Sequence, residues 1–144
     1  MTKCDISTTT EPGWVSLVQG KHTEAVILLE FLKQNETILL PFSNDTRFDL
    51  VLLRGNQFLR VQCKTAKLKN GVIHCPCCST THKGLNKGYQ DQIDLFAFYC
   101  PENENIYLVP IQDAGGNFSE MHLRIDPTRN NQQKGVHWAK DYQY

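Results

Sequence analysis

The sequence has no net charge and no long apolar run, and both absences exclude classes of protein. Its 144 residues carry 15 Lys and Arg against 15 Asp and Glu, and 40% of them are hydrophobic. A net charge of zero argues against a strongly basic nucleic-acid-binding protein. No apolar run approaches the roughly 20 residues that cross a bilayer, so we expect no membrane partner. The length favours one compact domain over residues 1–144.

An export signal is also missing, and this affects how the cysteines are interpreted. Residues 1–7 contain no basic segment followed by an apolar stretch. We therefore expect a cytoplasmic protein whose six cysteines are thiols or metal ligands rather than disulfides.

The charge is unevenly distributed along the chain. Residues 47–87 contain eight Lys and Arg against one acid, a charge of +7, whereas residues 88–126 contain seven acids against one Arg, a charge of −6. Such a basic middle can present one positive face to phosphates. The alternative, that these charges are solvated and scattered over the surface, is equally compatible with the sequence.

Hydrophobic periodicity predicts one helix and several strands. Apolar residues recur at spacings of three and four from Lys21 to Gln34, which indicates a helix. Two apolar runs around Gly55-Asn56 predict a β-hairpin over residues 48–66. Further strands are predicted over 37–42, 71–75, 95–100, 105–111 and 121–125, with a polar turn at 67–70, an irregular stretch at 76–88 and a helical turn within 138–144.

The hairpin brings three polar residues together if Gly55-Asn56 is the centre of its turn. Residues paired across the hairpin then have numbers that sum to 111, and Asp49 faces Gln62. Directly opposed Cβ atoms lie about 4.5 to 5.5 Å apart, with Lys64 one diagonal step away on the same face. The other face is apolar and should fix the register, because a slip of one residue would bury the charged set.

An acid, an amide oxygen and an ammonium in one small volume can perform phosphoryl chemistry. Asp49 can hold Mg²⁺, with the Gln62 amide oxygen and a backbone carbonyl near Cys63 as further hard ligands. Lys64 can orient or deprotonate the attacking water and offset charge that grows on the phosphate. The alternative is a hairpin face on which Asp49 and Lys64 form a surface ion pair of small energetic consequence. On spacing alone, this second interpretation is favoured.

The order of three short motifs along the chain favours the metal site over the surface ion pair. They are Gly20-Lys21-His22-Thr23-Glu24 on the helix, Arg47-Phe48-Asp49-Leu50, and Gln62-Cys63-Lys64-Thr65-Ala66. Together with residues 94–98 and 107–110, they resemble the PD-(D/E)XK nuclease superfamily over roughly residues 20–111. The chain is most similar to the bacterial group I intron homing endonucleases, in which a Gln replaces the second acid. The literal Pro-Asp pair is absent, since Phe48 precedes Asp49.

The resemblance implies a fold, an activity and a role for each residue. The implied fold is α/β, or α+β, with a mixed central β-sheet flanked by helices and a restriction-endonuclease-like core. The implied activity is Mg²⁺-dependent, site-specific cleavage of double-stranded DNA by a homo-oligomer, a dimer or tetramer, in intron homing. Asp49 would be the main metal ligand, Gln62 a neutral ligand, Lys64 the catalytic lysine and Glu24 a helix-borne acid. Because Gln62 is neutral, metal binding should be weaker than with two acids.

Two other functions are compatible with the same residues. The superfamily shares one core between site-specific and Holliday-junction-resolving nucleases, so a resolving nuclease is the second enzyme hypothesis. The missing Pro-Asp pair also leaves open a catalytically silent, zinc-containing DNA-binding module.

A cluster of cysteines is a candidate zinc site, and a set of basic residues are candidates for DNA contacts. Cys75 and Cys78 have the two-residue gap of structural zinc sites, with Cys77 between them, but a second matching pair is missing. We prefer the alternative that these residues pack at a strand end. Candidates for DNA contacts, each of which is also a typical solvated surface charge, are Arg54, Arg60, Lys67, Lys69, Lys83 and Lys87.

Overall fold

The computed structural model describes residues 12–80, 86–115 and 119–144, and these contain one long helix and ten strands. No helix in those ranges is long and apolar enough to span a membrane. The elements are α1 (Pro12–Lys33), β1 (Thr37–Leu39), β2 (Leu50–Arg54), β3 (Gln57–Thr65), β4 (Lys67–Lys69), β5 (Val72–Pro76), β6 (Ser79–Thr80), β7 (Asn86–Lys87), β8 (Leu95–Cys100), β9 (Asn105–Pro110), β10 (Glu120–Arg124) and a short 3₁₀ helix (Ala139–Asp141).

A five-stranded central sheet has the order β1-β2-β3-β8-β9. Its neighbours pair antiparallel except β3 and β8, which run parallel, so the sheet is mixed. The predicted α+β class with a mixed central sheet is confirmed. The predicted hairpin is also confirmed in register, because Leu50 pairs with Val61 and Leu52 with Leu59.

The central sheet is covered on both faces, which explains the nearly continuous apolar run of β8. Ala97 and Tyr99 pack in the cluster that α1 covers. Phe96 and Phe98 pack in a second cluster with Ile73, a residue of β5. Strands β10, β5 and β4 form a three-stranded sheet of their own, and β6 pairs with β7. The central sheet therefore lies between the helix and a second, smaller sheet.

Helix α1 packs through residues four apart. Thr23, Ile27 and Phe31 are at most 1% exposed, whereas Leu29 and Leu32, which periodicity placed on the apolar stripe, are 54% and 55% exposed. The helix ends where Asn35 adopts a left-handed φ of 58°, and the Glu36 N–H bonds the Phe31 carbonyl at 3.0 Å.

Several predicted boundaries are wrong. The helix begins at Pro12 rather than Lys21, and the first-turn proline is the local signal for that start. Residues 67–69 are a strand rather than a turn, because they pair with β5. The stretch at 76–88 contains β6 and β7, and its residues 81–85 lie outside the described part. Strand β1 covers only Thr37–Leu39. The helical turn predicted near the end is present as the 3₁₀ helix.

Candidate active site

Asp49 lies directly before β2, where hairpin pairing still continues. Its N–H donates to the Val61 carbonyl at 2.9 Å. Its carboxylate reaches across to β3 and accepts a hydrogen bond from the Cys63 N–H at 2.7 Å. Cys63 stands between Gln62 and Lys64, so the Asp49 carboxylate meets the backbone at the middle of the predicted Gln-x-Lys motif.

The other two predicted groups have their own partners. The Gln62 amide donates a long hydrogen bond to the Cys63 carbonyl at 3.4 Å. The Lys64 Nζ donates to the Cys78 carbonyl at 3.1 Å and lies 5.2 Å from the centroid of the Tyr89 ring. Among the described residues, no salt bridge joins Lys64 to Asp49. The simple surface ion pair considered from the sequence is therefore not the arrangement found.

Helix α1 contributes a second acid to this region. The Glu24 carboxylate pairs with the Lys21 Nζ at 2.8 Å, and the charges of both residues act on Asp49. Between them, the buried Thr23 hydroxyl lies 2.6 Å from that of Thr65 at the end of β3, which anchors the helix beside the hairpin. Lys21 was not among the predicted site residues. Its signal was its position one turn before Glu24 in the same quoted motif.

Burial is the main influence on the Asp49 carboxyl and raises its pKa from 3.8 to about 6. The Cys63 N–H opposes this rise, the Glu24 charge adds to it, and Lys21 and Lys64 lower it. The Glu24 charge thus makes it harder for the Asp49 carboxyl to lose its proton. A cation bound beside both carboxylates would offset this repulsion.

The donor set fits a hard divalent ion such as Mg²⁺. The candidate ligands are all oxygens, namely the carboxylates of Asp49 and Glu24, the Gln62 side-chain amide and the Cys63 carbonyl, and the Asp49 carboxylate itself contacts the Cys63 N–H at 2.7 Å. The Cys63 thiol is not one of these ligands, because burial raises its pKa well above the ordinary value. A thiol kept protonated is a poor metal ligand, so Cys63 offers its backbone oxygen rather than its sulfur.

The raised pKa of Asp49 predicts a pH-dependent effect of Asp49→Asn on stability. A carboxyl whose pKa is higher in the folded than in the unfolded chain makes unfolding easier as pH rises between those two values, here about 4 and about 6. Asn stays neutral at all pH. In urea unfolding without divalent ions, the variant should match wild type below pH 4 and be more stable by roughly 3 kcal/mol above pH 7. A stability difference that does not change with pH would contradict the assignment.

Two predicted DNA-contacting arginines are held by acids of the same chain. Arg54 forms a forked ion pair with Glu36. Arg60 binds Asp94 through its Nε and Nη2, both at 3.0 Å. The remaining predicted basic residues are Lys67, Lys69 and Lys87, which are exposed, and Lys83, which lies outside the described residues.

Arg47, quoted in a motif but given no role, organises the side of the site near Lys64. Its guanidinium lies 4.0 Å from the centroid of the Tyr89 ring, the same ring that faces the Lys64 ammonium. It also donates to Gln92 at 2.7 Å and Ser79 at 2.9 Å. Arg47 thus ties the segment carrying Tyr89 to the start of the hairpin.

The cysteines do not gather into a group of ligands within the described ranges. Cys75 and Cys77 are buried, and the Cys78 thiol donates to the Ser119 carbonyl at 3.6 Å. The one group of three ligand side chains found there is His74, Glu120 and His122. This group was not predicted from the sequence, because His74 is far along the chain from Glu120 and His122 and meets them only through the pairing of β5 with β10.

Comparisons with known proteins agree with this geometry. The sequence model of the PD-(D/E)XK endonuclease family matches residues 17–144. The solved structure of a bacterial homing endonuclease, I-Ssp6803I, is similar with a TM-score of 0.68 and 21% identity. That similarity covers 88% of this chain and 86% of the other, and at this identity it shows a shared fold. No curated protein matches the chain.

Proposed function

The chain belongs to the PD-(D/E)XK endonuclease family, and from this premise we propose that it is a Mg²⁺-dependent, site-specific endonuclease of double-stranded DNA that acts in intron homing. The observation that carries the proposal is the contact between the Asp49 carboxylate and the Cys63 N–H. This contact places the Asp49 carboxylate against the backbone of the Gln62-Cys63-Lys64 segment, where the charge of Glu24 on α1 also acts on it. Carboxylate and carbonyl oxygens are the ligands that a hard divalent ion prefers, and such an ion can promote phosphodiester hydrolysis.

Asp49 is proposed as the main ligand of Mg²⁺, with the Gln62 amide oxygen, the Cys63 carbonyl and Glu24 completing the oxygen set. When bound, the ion supplies Lewis-acid polarisation of the phosphate and lowers the pKa of the attacking water. The hydrogen bond from Cys63 fixes the orientation of the Asp49 carboxylate before any ion arrives. Mutual repulsion between Asp49 and Glu24 is relieved by a cation, which favours binding despite the neutral Gln62.

Lys64 is proposed as the catalytic lysine. Its ammonium has three N–H donors, and one of them is occupied by the Cys78 carbonyl. The others remain for the attacking water or a phosphate oxygen. The Tyr89 ring limits the side chain's freedom, so the positive charge is held near the position where negative charge develops.

The proposed substrate is duplex DNA, and the proposed assembly is a homo-oligomer, a dimer or tetramer, in which residues 1–144 of each chain form a single nuclease domain. The fold shared with a homing endonuclease supports this substrate. Exposed Lys67, Lys69 and Lys87 are suited to phosphate contacts, and Lys83 is a further candidate. Arg54 and Arg60 would exchange their acidic partners for phosphates on binding. Action in the cytoplasm belongs to the same proposal.

The test is incubation of a random-sequence duplex library with the protein and Mg²⁺, followed by sequencing of the cleaved fraction. We expect a small enriched set of sites and no cleavage when EDTA replaces Mg²⁺. A four-way junction cut regardless of sequence would instead support the resolving nuclease. Retained DNA binding with no cleavage of any substrate would support the silent module.

A further inference from the structure

Two histidines and a glutamate meet on one face of the smaller sheet. His74 of β5 and His122 of β10 are directly paired across the antiparallel ladder, and their ring centroids lie 4.6 Å apart. Glu120 stands two residues before His122 and therefore on the same face. Its Oε2 lies 2.8 Å from the His122 Nε2 and 3.1 Å from the His74 Nδ1.

We propose that His74, Glu120 and His122 form a second metal site, which binds a zinc-like divalent ion on the smaller sheet. It goes beyond the proposed nuclease function, because its ligands belong to β5 and β10 and none belongs to the Asp49 group.

The spacing of the three ligand atoms supports this site. All three lie within 4.8 Å of one another. Zinc bonds to imidazole nitrogen and carboxylate oxygen are about 2.0 to 2.2 Å long, so adjacent ligand atoms in a tetrahedral site lie roughly 3.3 to 3.5 Å apart. The two contacts of Glu120, at 2.8 and 3.1 Å, need to lengthen by only a few tenths of an ångström. Small side-chain rotations accomplish that on a partly exposed surface.

The donor types select the class of metal. Imidazole nitrogen suits zinc and other late transition metals, whereas Mg²⁺ prefers a set of oxygens. Two histidines and a glutamate are also one of the three-ligand sets of zinc sites that keep a fourth position for water or another ligand. The site on the smaller sheet should therefore prefer zinc-like ions, and the oxygen ligands at Asp49 should prefer Mg²⁺.

The fourth position has space to be filled. His74, Glu120 and His122 line a cavity of about 710 Å³, whose wall also carries Lys69 and Arg124. A water or a small anion can enter this cavity and complete the tetrahedron. A bound ion would also link β5 to β10 directly and stabilise the smaller sheet.

Another histidine of the same cavity provides a matched control. His137 lines the cavity but is not part of the ligand group. Its Nδ1 lies 3.0 Å from the Tyr142 hydroxyl, which in turn donates to Asp113 at 3.1 Å. His137→Gln therefore removes an imidazole from the cavity wall without removing a proposed ligand.

The experiment is titration of the metal-free full chain with Zn²⁺ and with Co²⁺ in excess Mg²⁺, which keeps the oxygen ligands at Asp49 occupied. We expect one ion per chain, and at a free Zn²⁺ concentration 100 times Kd a rise in Tm of at least about 5 °C. The pair His74→Gln/His122→Gln should abolish this rise, and Glu120→Gln should weaken binding at least tenfold. His137→Gln should bind as wild type does.

The Co²⁺ spectrum distinguishes this site from the cysteines. Nitrogen and oxygen ligands give only weak visible bands, whereas cysteine ligands add an intense thiolate-to-cobalt band in the near ultraviolet. A thiolate band that is lost in Cys78→Ser would overturn the proposal.

The proposal would also be overturned if no ion binds, or if wild type and the folded His74→Gln/His122→Gln variant bind it equally. Circular dichroism of each variant establishes folding, and the shape-conserving Glu120→Gln keeps the test decisive if the double variant unfolds. Because DNA cleavage is not measured, failure here leaves the proposed function unaffected.

Discussion

Asp49→Asn is expected to lower the rate of DNA cleavage by on the order of 10³-fold or more, while the chain stays folded. The Asn side-chain oxygen can still accept the Cys63 N–H that Asp49 accepts at 2.7 Å, so the local geometry survives. What is lost is the negative charge that would hold Mg²⁺. The measurement is single-turnover cleavage of the selected duplex in saturating Mg²⁺. Asp45→Asn, which neutralises an exposed loop acid, should cleave as wild type does.

A second measurement separates loss of metal from loss of chemistry. Mg²⁺ should raise the Tm of wild type, and this rise should disappear in Asp49→Asn because a bound ion stabilises only the chain that holds it. Equal cleavage by wild type and Asp49→Asn would remove Asp49 from the mechanism. An unchanged Tm response would remove it from the metal site even if cleavage falls.

The position of Asp49 relative to Gln62 and Lys64 could be predicted because it depends on local chain geometry. A tight turn at Gly55-Asn56 fixes which residues face one another, and the buried Leu50 and Leu52 oppose any slip of register. No long-range information is needed. The hydrogen bond to the Cys63 N–H is a detail of side-chain direction that the register alone does not determine.

The second sheet could not be predicted because its pairings join distant segments. Strand β10 meets β5 after more than forty intervening residues, and no local pattern records that partnership. The same limit applies to Lys67–Lys69, whose polar sequence is typical of a turn until β5 supplies hydrogen bonds. His74 could not be assigned to a site from its neighbours in the sequence, because its partners, Glu120 and His122, lie on strand β10.

Ion pairs between residues far apart in the sequence could not be predicted by counting charges along it. Arg54 and Arg60 were counted in a basic segment, yet each meets an acid from elsewhere in the chain, Glu36 and Asp94. Counting charges along the sequence therefore overstated how much of the segment is positive at the surface. The exposed lysines of the same segment are better candidates for phosphate contacts than either arginine.

Lys64→Met is expected to lower cleavage by roughly 10² to 10⁴-fold without weakening Mg²⁺ binding. Methionine keeps most of the aliphatic stem beside Tyr89 but removes the ammonium that donates to the Cys78 carbonyl at 3.1 Å. Its signature is thus opposite to that of Asp49→Asn: the Tm response to Mg²⁺ should persist, affinity for the duplex should change only a few-fold, and the rate constant of the single turnover should fall. Lys140→Met, an exposed lysine on the 3₁₀ helix, is the matched control and should cleave normally. If Lys64→Met lost the Mg²⁺ response but cleaved at the wild-type rate in excess Mg²⁺, the lysine would only organise the metal site, and its proposed role in the chemical step would be wrong.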